Sequence, residues 1–208
     1  MDIKIHQLWI NEKIPEIPKL YPKEWRNKWE EEYKEKYKLW NTEDIRNLIN
    51  AHFPWIKNEF WSWPANYQAD VSRLLILYQH GGAYVDLDCI FIKRFDYLFE
   101  NKVAKGIPNH FLIFERNDTL LHTIINQIYE NILQNKQKDK ICKTCGPVAI
   151  HAIIQKHKDK FIVLSDYEFN NLGKNFRKVS DNKINKIYCS DNNVCIIHQY
   201  LKGWSKVI

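Results

Sequence analysis

Two aspartates two residues apart, Asp86 and Asp88, stand inside the otherwise apolar run Ala83-Tyr84-Val85-Asp86-Leu87-Asp88-Cys89-Ile90-Phe91-Ile92. In an extended strand alternate side chains share a face, so the pair is expected to project together. Two ionised carboxylates side by side repel, and burying either one unpaired is costly. A divalent cation relieves both problems. Hard oxygen donors suit Mg²⁺ or Mn²⁺, ions that keep positions open for phosphate oxygens. The competing reading is a pair of strand-end aspartates that cap a loop or pair with lysines, and a bare D-x-D does not choose between them.

The flanking residues add to the first reading. Asn66 to His80 has a helical period, with Tyr67, Val71, Leu74, Leu75 and Tyr78 on one apolar face. Gly81-Gly82 is a suitable end for that helix. Asp70 and Arg73 lie three apart on the flank of the apolar face and are separated from the aspartate run by little more than the two glycines. They are expected either to project toward Asp86 and Asp88 or to form a plain intrahelical ion pair. Tyr84, two before Asp86, shares its face, and a buried tyrosine hydroxyl needs a partner.

Other elements frame this unit. Ile3 to Ile10, Tyr37 to Trp40, Phe111 to Phe114, Phe161 to Leu164 and Val194 to His198 read as strands, and the aspartate run reads as a central strand buried on both faces. Glu24 to Glu35, Thr119 to Leu133 and Pro147 to Lys156 read as helices, the last with proline in its first turn. A further helix starts at Asn41 or Thr42, with Glu43 and Asp44 in its first turn, and Pro54 stops that region. Pro15, Pro18 and Pro22 mark a loop after the first strand. Strands alternating with helices indicate an α/β sandwich, and the length favours one domain over residues 1–208.

With these residues in view, Ala69-Asp70-Val71-Ser72-Arg73, Gly81-Gly82-Ala83-Tyr84 and Asp86-Leu87-Asp88 together resemble the signature of the glycosyltransferases that contain the D-x-D sugar-binding motif. The pattern is similar to initiating α-1,6-mannosyltransferases, α-1,4-glycosyltransferases and the core of the clostridial glucosylating toxins. The resemblance extends to Ile5-His6-Gln7-Leu8-Trp9, to Tyr37-Lys38-Leu39-Trp40-Asn41, to Cys145-Gly146-Pro147 and to His198 with Trp204. Cys145 stands where threonine is usual, and Gly203 where a serine often precedes the tryptophan.

The resemblance implies a GT-A fold, a Rossmann-like sandwich with a mixed, mainly parallel central sheet. It implies a retaining, metal-dependent transfer of a hexose from a UDP-sugar or GDP-mannose to a glycan or other hydroxyl acceptor. By residue, it implies that Asp88 ligates Mn²⁺ (or Mg²⁺), that Asp86 contacts the ribose or sugar and helps hold the metal, and that His198 is a third ligand. Asp70 and Arg73 would grip the donor sugar, Tyr84 would order the donor, Trp9 would face the base, and Trp204 would belong to the closing C-terminal element.

Bulk composition is ordinary for a globular protein and too apolar for a disordered one: 45% hydrophobic and 27% charged residues, with 14% aromatic. The formal charge of +6 can draw in an anionic donor. The lysines form no basic block, so nucleic acid is not an expected partner. No stretch approaches the roughly 20 apolar residues of a membrane span, and no secretory leader is visible, so a cytoplasmic, microbial or viral enzyme is expected. Cys89, Cys142, Cys145, Cys189 and Cys195 are read as reduced thiols, and the single Cys142-x-x-Cys145 lacks the second pair that a structural zinc requires. Two alternatives remain on sequence grounds. One is a non-catalytic sugar-nucleotide or glycan binder. The other is a haloacid-dehalogenase-like phosphatase, whose D-x-D is followed by threonine or valine rather than by Cys89.

Overall fold

A computed structural model of the chain describes residues 2–13, 16–19, 21–100, 103–105, 109–134, 141–157, 162–164 and 195–198. In chain order it places β1 (Ile5–Leu8), α1 (Lys23–Tyr33), β2 (Tyr37–Trp40), α2 (Thr42–His52), the short α3 (Lys57–Phe60), α4 (Ala65–His80), β3 (Gly82–Val85), β4 (Cys89–Phe91), β5 (Val103–Lys105), β6 (Phe111–Phe114), α5 (Thr119–Gln134), the short α6 (Ile141–Thr144), α7 (Pro147–Lys156), β7 (Ile162–Leu164) and β8 (Ile196–His198). Six strands form one sheet in the order β2-β1-β3-β6-β5-β7, and β4 and β8 form a separate two-stranded ribbon. In the large sheet β1 runs parallel to β2 and β3, and β5 runs parallel to β7, whereas β6 is antiparallel to β3 and β5. The sheet is therefore mixed and mainly parallel, as the GT-A fold requires.

Strand alternation splits the core into two layers. On β3, Tyr84 points into a cluster with Leu74, Leu75 and Leu77 of α4, Ile124 and Ile128 of α5, and Ile150 and Ile154 of α7. Ala83 and Val85 point the other way, into a cluster with Trp29 and Tyr33 of α1 and with Phe91, Phe95 and Phe99. β6 alternates in the same sense, Leu112 and Phe114 against Phe111 and Ile113. Both faces of the central strands are thus covered, which is why they read as continuous apolar runs. Among the described residues no helix is long and apolar enough to cross a membrane.

Local signals explain the element ends. Asn41 caps α2: its side chain accepts from the Asp44 N–H, and the Asp44 carboxylate accepts from the Asn41 N–H. Gly81 closes α4 at φ +65°, and Gly82 follows at φ +99°. A Cβ on Gly82 would come within 2.5 Å of the Lys4 carbonyl oxygen, which is itself bonded to the Ala83 N–H at 2.7 Å. Gly82→Ala is therefore expected to destabilise the fold by more than about 1 kcal/mol, because both the backbone angle and the β1–β3 contact resist it. Urea unfolding would show this, and a variant as stable as the parent would mean that β1 can be displaced freely.

The aspartate run departs from the single central strand expected of it. The run Ala83 to Ile92 is not one strand. β3 ends at Val85, Asp86 to Asp88 form a turn closed by the Cys89 N–H donating to the Asp86 carbonyl at 3.0 Å, and β4 belongs to the other sheet. Aspartate at the first position of such a turn is favoured, and this local preference outweighs the β-tendency of the apolar neighbours. The ends of the expected strands at Phe161 and Val194 lie outside the described residues.

β1 supplies the polar fastenings. The indole N–H of Trp40 donates to His6 Nδ1 at 3.1 Å, so that nitrogen carries no proton, and His6 Nε2–H donates to the Gly81 carbonyl at 2.9 Å. Burial holds the imidazole down at about 3, despite the help of the Gly81 bond; the nearby His80, Lys4 and Lys38 charges push in the same direction as burial. The unfolded chain, with His6 near 6.5, then binds a proton that the folded chain refuses. Stability from this group is complete above pH 6.5 and falls as the pH drops from there toward about 3. We expect the parent to lose about 2 kcal/mol more than His6→Gln between pH 7 and pH 5, read from urea midpoints. Equal losses in the two proteins would remove His6 as the source.

Candidate active site at the junction of the two sheets

The Asp86–Asp88 turn sits where the large sheet hands the chain to the ribbon. Its backbone is held from two sides. Gln7 Nε2 donates to the Asp86 carbonyl at 3.1 Å, while the Tyr37 hydroxyl donates to Gln7 Oε1 at 2.9 Å. The Asp86 N–H donates to the His110 carbonyl at 3.0 Å. The Ile5-His6-Gln7 segment therefore contributes positioning: His6 ties down the glycine junction and Gln7 the aspartate turn.

Arg73 is the hub on the α4 side. Its Nη2 is 3.0 Å from Asp70 Oδ1, its Nη1 is 3.3 Å from Asp86 Oδ1, and Nη1 also donates to the Asn109 carbonyl at 2.9 Å. The guanidinium lies over the Tyr84 ring at 4.8 Å, and the Tyr84 hydroxyl donates to Asp86. Asn109 Nδ2 donates to Asp70 Oδ1 at 3.2 Å. Asp70 and Arg73 are thus more than an intrahelical pair: one end of Arg73 holds Asp70, and the other reaches Asp86. Burial pushes the Asp70 carboxyl up to about 6, against the pull of Arg73 and Asn109. Asp86 is also pushed up, by burial first and by the Asp88 charge, with Arg73 opposing. Its side chain keeps 26% of its surface exposed, against 10% for Asp70 and 6% for Arg73, so Asp86 forms the accessible edge of this cluster.

Asp88 faces a different partner. Its Oδ1 is 3.0 Å from Nε2 of His198, at the end of β8. The antiparallel register sets Cys89 directly opposite His198, and the ligand atoms of Asp88, Cys89 and His198 all lie within 4.8 Å of one another. The His198 ring stacks on His110 at 4.0 Å with the planes 17° apart. Carboxylate oxygen, imidazole nitrogen and thiol sulfur converging in this way are a donor set that fits a divalent cation. Asp86 and Asp88 sense each other's charge but are anchored separately, Asp86 on Arg73 and Tyr84, Asp88 on His198.

Trp9 lies beyond this turn, in a small cluster with Tyr21 and Leu87, and its ring is 2% exposed. Tyr21 sits 5.9 Å from the Trp9 ring, near enough to Asp88 and Asp86 that their charges add to the effect of burial in raising its phenol. Tyr21 packs against Trp9 with the two rings tilted by 54°, and both side chains are buried. Cys145, in the turn before α7, is buried in the neighbourhood of Arg73. Trp204 and Gly203 lie outside the described residues.

The structure thus brings Asp70, Arg73, Tyr84, Asp86, Asp88 and His198 to one junction. It adds Gln7, Tyr21, Asn109 and His110, which the sequence reading did not single out as site residues. Gln7 had a signal in its place beside His6 in the first strand motif. Asn109 and His110 had none, since they belong to a short loop with no period.

The chain is similar to several known proteins. The family described as glycosyltransferase sugar-binding region containing DXD motif matches residues 12–105, which hold Asp70, Arg73, Tyr84, Asp86 and Asp88 but neither Trp9 nor His198. Inositol phosphoceramide mannosyltransferase 2 of Schizosaccharomyces pombe is 30% identical over 166 residues, covering 74% of this chain and 46% of the relative. Inositol phosphoceramide mannosyltransferase 1 of the same organism is 34% identical over 133 residues, covering 62% of this chain and 41% of the relative. The chain spans less than half the length of these relatives. Mouse xyloside xylosyltransferase 1 in its apo form superposes with a TM-score of 0.50 at 13% identity, covering 95% of this chain and 97% of that one, a likeness of fold. Residues 12–105 thus match the glycosyltransferase sugar-binding region that contains the DXD motif, and over 74% of its length the chain is similar to a mannosyltransferase.

Proposed function

We propose that the protein is a metal-dependent, retaining hexosyltransferase that takes its sugar from a nucleotide-diphosphate donor and passes it to a hydroxyl acceptor. The observation that carries this reading is the buried Arg73, held by Asp70, Asn109 and Tyr84 and aimed at Asp86, beside the Asp88–His198 pair. The names of the relatives favour mannose as the sugar, hence GDP-mannose over UDP-sugars, and an inositol-phosphate-headed lipid as one acceptor class.

In this reading Asp88 and His198 hold the cation, with Asp86 at its edge. Bound there, Mn²⁺ or Mg²⁺ supplies Lewis-acid stabilisation of the leaving diphosphate. The chain's own residues do the rest. Arg73 holds Asp86 in place and contributes fixed positive charge near the departing phosphate. Asp70 keeps the guanidinium from turning away, and the exposed edge of Asp86 accepts hydrogen bonds from ribose or sugar hydroxyls. Tyr84 closes the floor beneath Arg73. Trp9 receives the base once Tyr21 swings off its ring. With the donor held on one side, acceptor attack from the same face hands the acceptor proton to the departing phosphate, and no protein nucleophile is needed.

The test is a screen of UDP-sugars and GDP-mannose for donor hydrolysis with and without Mn²⁺. Hydrolysis of one donor that requires the cation is expected. Cation-independent binding with no turnover would favour a sugar-nucleotide binder, and release of phosphate from phosphomonoesters instead would favour a phosphatase.

A further inference from the structure

Cys89 follows the D-x-D pair directly, and the proposed transfer mechanism gives its sulfur no role. It begins β4, opposite His198 on β8. Directly opposed residues of an antiparallel ladder share a face, with Cβ atoms about 4.5–5.5 Å apart. Asp88 adds a carboxylate from the adjoining position, 3.0 Å from the His198 nitrogen. The thiol is buried, at the border between the site and the apolar cluster of Val85, Phe91 and Phe95. Asp86, by contrast, is engaged by Arg73 and Tyr84.

We propose that Cys89 is a ligand of the cation site, making it a mixed oxygen, nitrogen and sulfur site that selects zinc-like ions over Mg²⁺ and Mn²⁺. The inference rests on the reading that a cation sits at Asp88. Bonds to zinc of about 2.0–2.3 Å set three ligand atoms about 3–4 Å apart. The three ligand atoms, all within 4.8 Å of one another, reach that arrangement with a small contraction. On binding, the sulfur coordinates as thiolate and its proton passes to solvent, so the soft donor is formed by the ion that it selects. Magnesium and manganese gain little from a thiolate, whereas zinc and cobalt gain much. A site of this kind would be loaded, and its activity altered, by trace zinc.

The experiment is Co²⁺ titration of the full chain followed by absorption. The parent is expected to show cobalt d–d bands together with a thiolate-to-cobalt charge-transfer band in the near ultraviolet. Cys89→Ser is expected to keep the far-ultraviolet circular dichroism of the parent and lose the charge-transfer band. Its Zn²⁺ affinity should fall at least about tenfold, with Mn²⁺ affinity unchanged. X-ray absorption of the zinc-loaded parent, in a Cys142→Ser/Cys145→Ser background, should show a sulfur scatterer at about 2.3 Å, a measurement that does not depend on the Cys89 variant folding. A charge-transfer band that survives in Cys89→Ser, or a zinc shell of nitrogen and oxygen alone, overturns the proposal. If Asp88→Asn abolishes cobalt binding and Cys89→Ser leaves it intact, the sulfur ligand falls and the cation at Asp88 stands. If neither variant changes cobalt binding, both fall.

Discussion

Asp88→Ala should lower cation-dependent donor turnover by at least about 100-fold while leaving the protein folded. The loss of one group that stabilises developing charge costs about 2.7–4 kcal/mol of barrier. Asp88 is well placed to be such a group, since it faces His198 at the ribbon end, whereas Arg73 engages Asp70 and Asp86. The fold should survive because β4 and β8 are held by backbone pairing from Cys89–His198 to Phe91–Ile196, and because the Trp29 indole donates to the Cys89 carbonyl at 3.0 Å. Two measurements decide it: turnover of the donor that the screen identifies, and the urea midpoint. Asp88→Asn keeps the size of the side chain and removes its charge, so it should fall nearly as far in turnover. Turnover of Asp88→Ala within tenfold of the parent would contradict the placement of the cation here.

Removing Arg73 should damage both stability and activity, and the two can be separated. Arg73→Met leaves Asp70 and Asp86 without their shared counter-charge, and breaking a buried pair on one side costs about 3–5 kcal/mol. Burial already pushes Asp70 up to about 6, so in the variant it should take up a proton at neutral pH and release part of that strain. Arg73→Met combined with Asp70→Asn should therefore recover stability relative to Arg73→Met alone, with no recovery of turnover. Arg73→Lys should recover part of the stability, since a lysine restores the charge without the fork that joins Asp70, Asp86 and the Asn109 carbonyl. Denaturant midpoints and single-donor kinetics on the four proteins would show this pattern. A fully active Arg73→Met would make the cluster structural only.

The cost of this cluster has a functional sense. Ionising Asp70 opposes folding: the folded protein binds its proton more tightly than the unfolded chain between about 4 and 6, so stability from this group is lost as the pH rises through that window. Under the proposed function, a nucleotide-diphosphate donor would meet fixed positive charge at Arg73 and a carboxylate acceptor of hydroxyl hydrogen bonds at the edge of Asp86, which Arg73 holds in place. Asn109 and His110 then matter as much as the motif residues. They carry the carbonyls that receive the Arg73 and Asp86 donors.

The sequence by itself determined the alternation of helix and strand, because apolar period and glycine or proline punctuation are local properties. It determined the α4–glycine–β3 unit and placed Asp70 and Arg73 together on the flank of α4, since a helix face has a fixed period, but left open whether they reach Asp86 or pair only with each other, which the structure decided by joining Arg73 to both carboxylates. It could not determine that Asp86 to Asp88 is a turn between two sheets, because whether an apolar run continues as one strand depends on which partners lie beside it. β3 pairs with β1 and β6, β4 with a segment more than 100 residues later, and the chain must bend where those two environments meet. The placing of His198 against Asp88 and Cys89, of Tyr21 on Trp9, and of the Asn109 carbonyl on Arg73 was likewise decided by tertiary structure alone. Each joins residues whose spacing along the chain carries no period, so only the folded arrangement of the sheets could bring them together.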